Sequence, residues 1–459
     1  NSISYNNISS NKYGIYLSHS NETTIRKNEF MNDGIFVEYS YNNTVEDNKV
    51  NGKPLVYLED ESDKFINNAG QVILVKCKNI TVMNSELTNT DVGIELWQSD
   101  NCLISNNNIS SNNRGGIYLY DSNNNTIVNN TISSNDNNGI YLSSYSNNNT
   151  ITNNIVSSYE ETGIYLSYSS NNIITNNIIR WGIGYYTPPI GIYLGHSNNN
   201  TITNNTVSSN DFSGDGIFLY YSSNNTITNN TASDNWDGIL LSYSNNNTIA
   251  DNIVSSNNRY GICLGYSNNN TITNNTVSSN GGYGISGYGI YLSSYSNNNT
   301  ITNNIVSSNS GYGIFLYYYN RNNTITNNIV SNNWYGIYIE FSSNNIIYLN
   351  NFIDNTDNVY SHKLTNIWNS TEKITYTYNG KQFTNYLGNY WSDYTGSDAD
   401  GDGIGDTPYS IDSDKDNYPL MEKFENYIVT PVPNQPPIAN FTYYPEEPVV
   451  NQSVTFDAS

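Results

Sequence analysis

Charge is scarce in this sequence, and positive charge is scarcest. Lys and Arg total 17 against 40 Asp and Glu, giving a formal net charge of −23, and only 12% of the residues are charged. Such a surface repels phosphate backbones, which excludes a nucleic-acid partner. Soft metal donors are equally sparse: three Cys, three Met and three His in 459 residues. Cys77, Cys102 and Cys263 are too few and too scattered for a disulfide framework or a zinc site. No apolar run approaches the 18 or so residues that cross a bilayer as a helix, so this segment has no membrane span. A starting Met and a signal peptide are also missing, and the chain opens part-way through a repeat. It therefore reads as the mature part of a longer chain.

What fills the space is Asn, Ser, Thr and Tyr in a repeat. Gly-Ile or Gly-Ile-like pairs fall at Gly93, Gly116, Gly139, Gly163, Gly191, Gly216, Gly238, Gly261, Gly289, Gly313 and Gly336, after earlier copies at Gly14 and Gly34. The twenty residues from Gly139 to Ser158 return unchanged from Gly289 to Ser308. Two longer gaps hold insertions at Tyr185–Pro189 and Gly281–Gly287. Each unit carries three short apolar pulses, as in Ile117/Leu119, Ile127 and Ile132. The first alternates with period two and none has helical period. Three short strands per unit of roughly 23 residues predict an all-β, right-handed parallel β-helix of roughly sixteen coils over residues 1–353.

Asn is expected to make the turns, because it tolerates left-handed backbone, and to stack its amides from coil to coil. Asp turns equally well but stacks badly: two carboxylates ~5 Å apart repel by about 1 kcal/mol in water and more in a drier surface. Fragile Asn-Gly pairs such as Asn138-Gly139 point to a moderate growth temperature. Two aromatic columns face outward. One is the stripe of Tyr118, Tyr141, Tyr165, Tyr193, Tyr291 and Tyr338, with Tyr16, Phe36, Phe218 and Phe315 in register and breaks at Leu240 and Cys263. The other runs through His19, Tyr39, Tyr168, His196, Tyr221, Tyr243, Tyr266, Tyr318 and Phe341. They read as ladders of stacked rings, with a sugar platform or subunit contact as the functional alternative. N-x-T acceptors at Asn124, Asn148, Asn224, Asn246, Asn269 and Asn322 are candidate glycosylation sites.

After Asn350 the pattern breaks, and residues 354–427 form a C-terminal cap. Within it, Asp398, Asp400, Asp402 and Asp406 alternate with small residues, and with the Ile404 carbonyl they suit a calcium-type cation. Tyr409 stands where an EF-hand has its bidentate Glu, so Asp412, Asp414 or Asp416 is expected to fold back and replace it. Residues 428–437 are a Pro-rich linker, and 438–459 two short strands of an incomplete domain. Acids within the coils lie mostly in turns. Asp234 and Asp237 with Asp211 and Asp215 on the adjacent coil, and Arg259 one coil on, form the best cluster for glycoside chemistry.

The G-I-x-L…N-x-I repeat, the segments NGKPLVYLEDESD and AGQVILVKCKNITVMN, and the ending GNYWSDYTGSDADGDGIGDTPY resemble the NosD-like right-handed β-helix proteins over roughly residues 1–421. Modules of this kind occur in large archaeal surface proteins. PPIANFTYYPEEPVVNQSVTFDAS resembles the start of a PKD β-sandwich domain. The family's namesake handles copper, but the dispersed Cys, Met and His do not carry copper over, and no organic cofactor is implied. Together these readings predict a non-enzymatic extracellular structural protein at the cell surface. It would be a glycosylated rod in a layer, sheath or filament, with copies of itself or other surface proteins as partners. Two alternatives stay open: an adhesin binding glycans through the Tyr stripe, and a polysaccharide lyase or hydrolase.

Overall fold

The structure is a computed structural model. It describes the chain apart from residues 12, 158–159, 181–187, 209–213, 283–285, 430–441, 445–448, 451–452, 454 and 458–459. The inward positions of each pulse decide the architecture. Ile140, Leu142, Ile151 and Val156 of one coil are all fully buried, as are their counterparts along the chain. Removing each such side chain from water stabilises the fold by about 1.5–3 kcal/mol. Three parallel sheets enclose this core in a right-handed β-solenoid of about 15 turns. The first is made of the long Gly-Ile strands, from Gln71–Val75 through Gly115–Tyr120 to Asp357–His362. The second and third each have 13 strands. Register is exact at the repeat: Ile140, Tyr141 and Leu142 lie beside Ile164, Tyr165 and Leu166.

Asn does both expected jobs, with different members of each pair. In Asn129-Asn130 the first residue is the left-handed turn, with φ 56°. The second is buried and donates its amide to the next coil. One such ladder runs unbroken from Asn107 through Asn130, Asn230 and Asn350 to Asn389, with Nδ2–Oδ1 distances of 2.9–3.1 Å. A second reaches Asn366 from Asn200 and a third reaches Asn355 from Asn235. Asp appears only where a ladder stops. Asn389 donates to Asp416, the Asn366 N–H to Asp414, and Asn355 through Asn358 to Asp393. A last rung needs only to accept, which a carboxylate does well and an interior rung must not.

Three boundaries differ from the sequence expectation. Residues 1–50 do not begin the main tube. They form a short solenoid of their own, with a separate core of Ile25, Phe30, Ile35, Val37 and Val50. That core is closed by Ile73, Val75 and Trp97, the outward face of the main tube's first sheet. The reversal is a hairpin at Asn51-Gly52, both residues at positive φ, which pairs Lys49–Val50 antiparallel to Lys53–Glu59. The main tube also runs past residue 353, since Asp357–His362 extends the first sheet and Tyr390–Trp391 the third. Finally, Ile428–Val429 is not linker: it pairs with Tyr376–Thr377 of the cap hairpin. The cap has its own small core of Tyr376, Tyr378, Leu387, Ile404, Leu420 and Tyr427. The remaining linker lies outside the described residues. So does most of the segment from 438, in which Thr442–Tyr444 pairs with Thr455–Asp457.

Candidate functional site

The outer face of the first sheet carries the concentrated chemistry, because the position before each Gly and the second position after it both point outward. The second position after the Gly is Tyr or Phe in most coils, and the position before it is Tyr at Tyr260, Tyr288, Tyr312 and Tyr335. Two places hold charge instead.

The first was partly visible in sequence. Asp215 and Asp237 stand in the column before the Gly on neighbouring coils, and the fork of Arg259 grips Asp237, with Nε 2.9 Å from Oδ1 and Nη2 on Oδ2. The Tyr260 N–H adds a bond of 3.1 Å to the same carboxylate. The guanidinium lies 4.4 Å from the centre of the Tyr260 ring. Burial, and then the neighbouring Asp237 charge, push Asp215 up to about 8. Burial also raises Asp237, while Arg259 opposes the shift. Asp237 is fully buried, with both oxygens committed. Asp234 does not join them, since it is an exposed turn residue at φ 58°. Asp211 lies outside the described residues, as do residues 185–187 and 283–285 of the two insertions.

The second place was missed. Where the short solenoid meets the main tube, Asp91 and Glu95 are fully buried beside Arg114. Burial pushes Asp91 up to about 7 and Glu95 well above the carboxylate range. Asp91 accepts the Gly14 N–H at 3.2 Å and Glu95 the Val37 N–H at 3.2 Å, so both acids hold the junction. A cavity of about 170 Å³ opens beside them, lined by Phe36, Glu38, Arg114, Tyr118, Asn138 and Tyr141 among others. Arg114 Nη1, Asn138 Oδ1, Asp91 Oδ1 and Glu95 Oε1 are buried there without hydrogen-bond partners. A signal did exist: Glu95 takes the place that the neighbouring coil gives to Tyr118 in the aromatic column.

The Tyr stripe is half-buried, and its rings use one another's faces. Centroid distances are 5.1 Å for Tyr118–Tyr141, 4.8 Å for Tyr141–Tyr165 and 4.8 Å for Tyr165–Tyr193. It resumes as Tyr291–Phe315 at 4.9 Å and Phe315–Tyr338 at 5.3 Å. The second column is a more regular stack, with Tyr168, His196, Tyr221, Tyr243 and Tyr266 nearly parallel at 4.7–5.2 Å. Its continuation is Tyr295 and Tyr319, because the units at Gly289 and Gly313 carry one extra turn residue; Tyr318 meets Tyr295 edge-on instead.

Asp398, Asp400 and Asp402 bring ligand oxygens within 4.8 Å of one another. Asp398 accepts the N–H groups of Gly401 and Gly403, at 2.7 and 2.8 Å. Ile404 donates its N–H to Asp402 and buries its side chain in the cap. Asp406 stands apart from this group, tied to Ala399 and Ser397. The expectation that Asp412, Asp414 or Asp416 folds back onto the loop is overturned. Asp412 and Asp414 accept from the Ser361 N–H and the Trp368 indole, and Asp416 from Trp391, all at the tube's end. Asn124, Asn148, Asn224, Asn246, Asn269 and Asn322 are all exposed, at φ 56–59°. No helix among the described residues is long and apolar enough to cross a membrane.

These features define a parallel β-helix protein with an aromatic, locally charged outer face. A family model described as periplasmic copper-binding protein (NosD) matches residues 1–69, 61–211, 184–287 and 286–396, and the chain belongs to that family. No curated protein matches the chain in sequence. Among solved structures, a double mutant of the periplasmic alginate epimerase AlgG is 16% identical, covering 68% of this chain and 85% of that one, at TM-score 0.47. The A-module of the Azotobacter vinelandii mannuronan C-5 epimerase AlgE6 is 14% identical, covering 76% and 89%, at 0.38. The tailspike of E. coli bacteriophage HK620, solved with a pentasaccharide, is 12% identical, covering 84% and 77%, at 0.42. At these identities the likeness is one of fold.

The family's copper does not fit the donors found here. Cys77 and Cys102 are buried with thiols turned to backbone carbonyls, and Cys263 is buried in the outer face of a distant coil. His19 and His196 are rings in the aromatic stack. Among the described residues, the three aspartates of the cap loop are the one cluster of three or more His, Cys, Asp or Glu ligand atoms, and they are all oxygen.

Proposed function

We propose that the chain is a non-enzymatic structural rod of the cell exterior, glycosylated on one edge and contributing to a surface layer, sheath or filament. The observation that carries this reading is the set of buried amide ladders, continuous from coil to coil and closed by carboxylates at the cap. They lock each coil onto the next and stiffen the tube. The ring faces of both aromatic columns are taken by neighbouring rings, which disfavours a sugar platform. Of the carboxylates brought together on the outer face, Asp237 is buried and held by Arg259, and Asp91 and Glu95 are buried and accept backbone N–H groups at the junction. Assembly by strand pairing at the C-terminal end is also disfavoured, because residues 366–429 cover the last coil; lateral contacts between copies or with other surface proteins fit better. The cap loop is proposed to take calcium through Asp398, Asp400 and Asp402, with the Ile404 carbonyl as a further oxygen.

Immunogold electron microscopy of intact cells tests the reading, with rods or filaments at the surface as the expected image. Release of products from a panel of uronate and neutral polysaccharides, abolished by Asp237→Asn in a protein that still folds, would overturn it.

A second reading is supported by the junction cavity, whose unpartnered Asn138 and Arg114 atoms face aromatic walls and suit a small polyol or sugar. Glycan-array binding lost in Asn138→Ala would favour it.

A further inference from the structure

The second sheet has an outer face unlike the other two. Eight successive strands, from Thr150–Thr152 to Thr324–Thr326, read Thr-Ile-Thr with few departures and pair in strict register. The middle residue is buried in the core and the outer two face solvent, except that Ala250 and, at the end of the array, Thr326 are buried. Ile173 is the exception in the first column and Ala250 in the second. No Asp, Glu, Lys or Arg interrupts these strands.

Strand propensity alone does not produce this. Val and Ile suit an outward strand position as well as Thr does, and the third sheet uses Ile155, Ile178 and Ile253 among its threonines. Glycan acceptors account only for the first column, as in Asn148-Asn149-Thr150; the second column ends no N-x-T triplet. The hydroxyls are not spent on the protein either. Within the array a single side-chain bond is present, from Thr273 to Asn274 at 3.5 Å. The backbone is satisfied by the sheet, and the turns by the buried Asn ladders.

The result is a rigid, uncharged lattice of hydroxyl and methyl groups, repeating at about 4.8 Å from rung to rung and about 6.8 Å along each strand. A dissolved ligand gains little from such repetition. A crystal gains from every rung, because each weak contact is added without further loss of orientation. Ice presents rows of water oxygens at closely similar repeats in two directions, and Thr offers each row a hydroxyl beside a methyl that orders the adjoining waters. We infer that the outer face of the second sheet is an ice-binding surface.

The test uses the full chain made in a host that does not glycosylate it, since glycans on Asn148 or Asn224 would crowd the edge of the face. The expected result is thermal hysteresis with faceted ice crystals in a nanolitre osmometer. Thr226→Lys and Thr271→Lys, each outward-facing, should reduce hysteresis to the buffer level. Thr231→Lys, on the third sheet, should leave it unchanged. Absence of hysteresis and ice shaping in the unsubstituted chain overturns the inference. So does equal loss in the Thr231 control, or retention on crystalline cellulose or chitin in place of ice. A variant whose melting profile shows misfolding is replaced by Thr226→Leu, for which loss of activity is again the expected result and full retention the contrary one.

Discussion

Replacing one interior rung of the longest ladder by its acid, Asn252→Asp, separates hydrogen bonding from shape, because the two side chains are nearly isosteric. Asn252 Oδ1 accepts from the Asn230 N–H at 2.9 Å and the Asn230 side chain at 3.1 Å, and an aspartate keeps both bonds. The Nδ2 group donates to the Ile227 carbonyl and to Asn275 Oδ1, both at 2.9 Å, and an aspartate turns both into contacts between acceptors. Each buried acceptor left unpaired costs about 1–3 kcal/mol, so the substitution should cost about 2–6 kcal/mol. Protonation restores one donor, so the loss should shrink as the pH falls toward 4. In a solenoid the damage stays local, which makes hydrogen exchange the right assay. Amides of the coils around Asn230 and Asn275 should exchange from about thirtyfold to about twenty-thousandfold faster, with distant coils unchanged. The reciprocal change, Asp416→Asn, sets an amide against the Asn389, Trp391 and Tyr418 donors and should cost about 1–3 kcal/mol. Unchanged exchange around residue 252, or a stabilising Asp416→Asn, refutes the ladder rule.

Stability should rise from pH 8 to pH 5. Burial holds Asp215 up to about 8, Asp91 up to about 7 and Asp416 up to about 6, with Glu95 and Asp237 also raised, so the folded chain keeps protons that the unfolded chain releases. This contribution is complete below the unfolded value near 4 and is lost as pH climbs through the folded values. A melting temperature that falls on acidification to pH 5 contradicts it. Calcium should raise the melting temperature of the cap, with Asp400→Ala and chelator each abolishing the effect in calorimetry. Tyr243→Ala removes two near-parallel ring contacts of 4.8 Å and should cost about 1–3 kcal/mol in denaturant unfolding. Glycan mapping by mass spectrometry should never find two adjacent rungs such as Asn246 and Asn269 occupied together, since acceptors stacked at about 4.8 Å leave no width for two glycans.

The repeat itself was fully legible. Period-two alternation in Ile117–Leu119 and the Gly-Ile spacing gave the tube, and the charge argument against stacked aspartates foretold that interior rungs would be Asn. What escaped was non-local. Nothing near Asn51-Gly52 says that the hairpin folds the first fifty residues back against Ile73, Val75 and Trp97. The fate of Asp414 and Asp416 was hidden because a carboxylate that ends a ladder and one that binds a cation have the same local sequence. Asp91 and Glu95 escaped because their burial is created by a partner element dozens of residues upstream. Asp215, Asp237 and Arg259 were found because coil stacking converts an offset of one repeat into a neighbour.

The aspartates that end the ladders, Asp393, Asp414 and Asp416, also bear on inheritance. A coil inserted anywhere between Asn107 and Asn350 meets the same donor below and the same acceptor above, and the cap need not change. Whole coils are therefore interchangeable cargo for recombination between near-identical stretches of gene, such as those encoding Gly139–Ser158 and Gly289–Ser308. Fractions of a coil are not, because they put every following strand on the wrong face. Rod length can thus drift between lineages in steps of about one rung while both ends stay under separate selection.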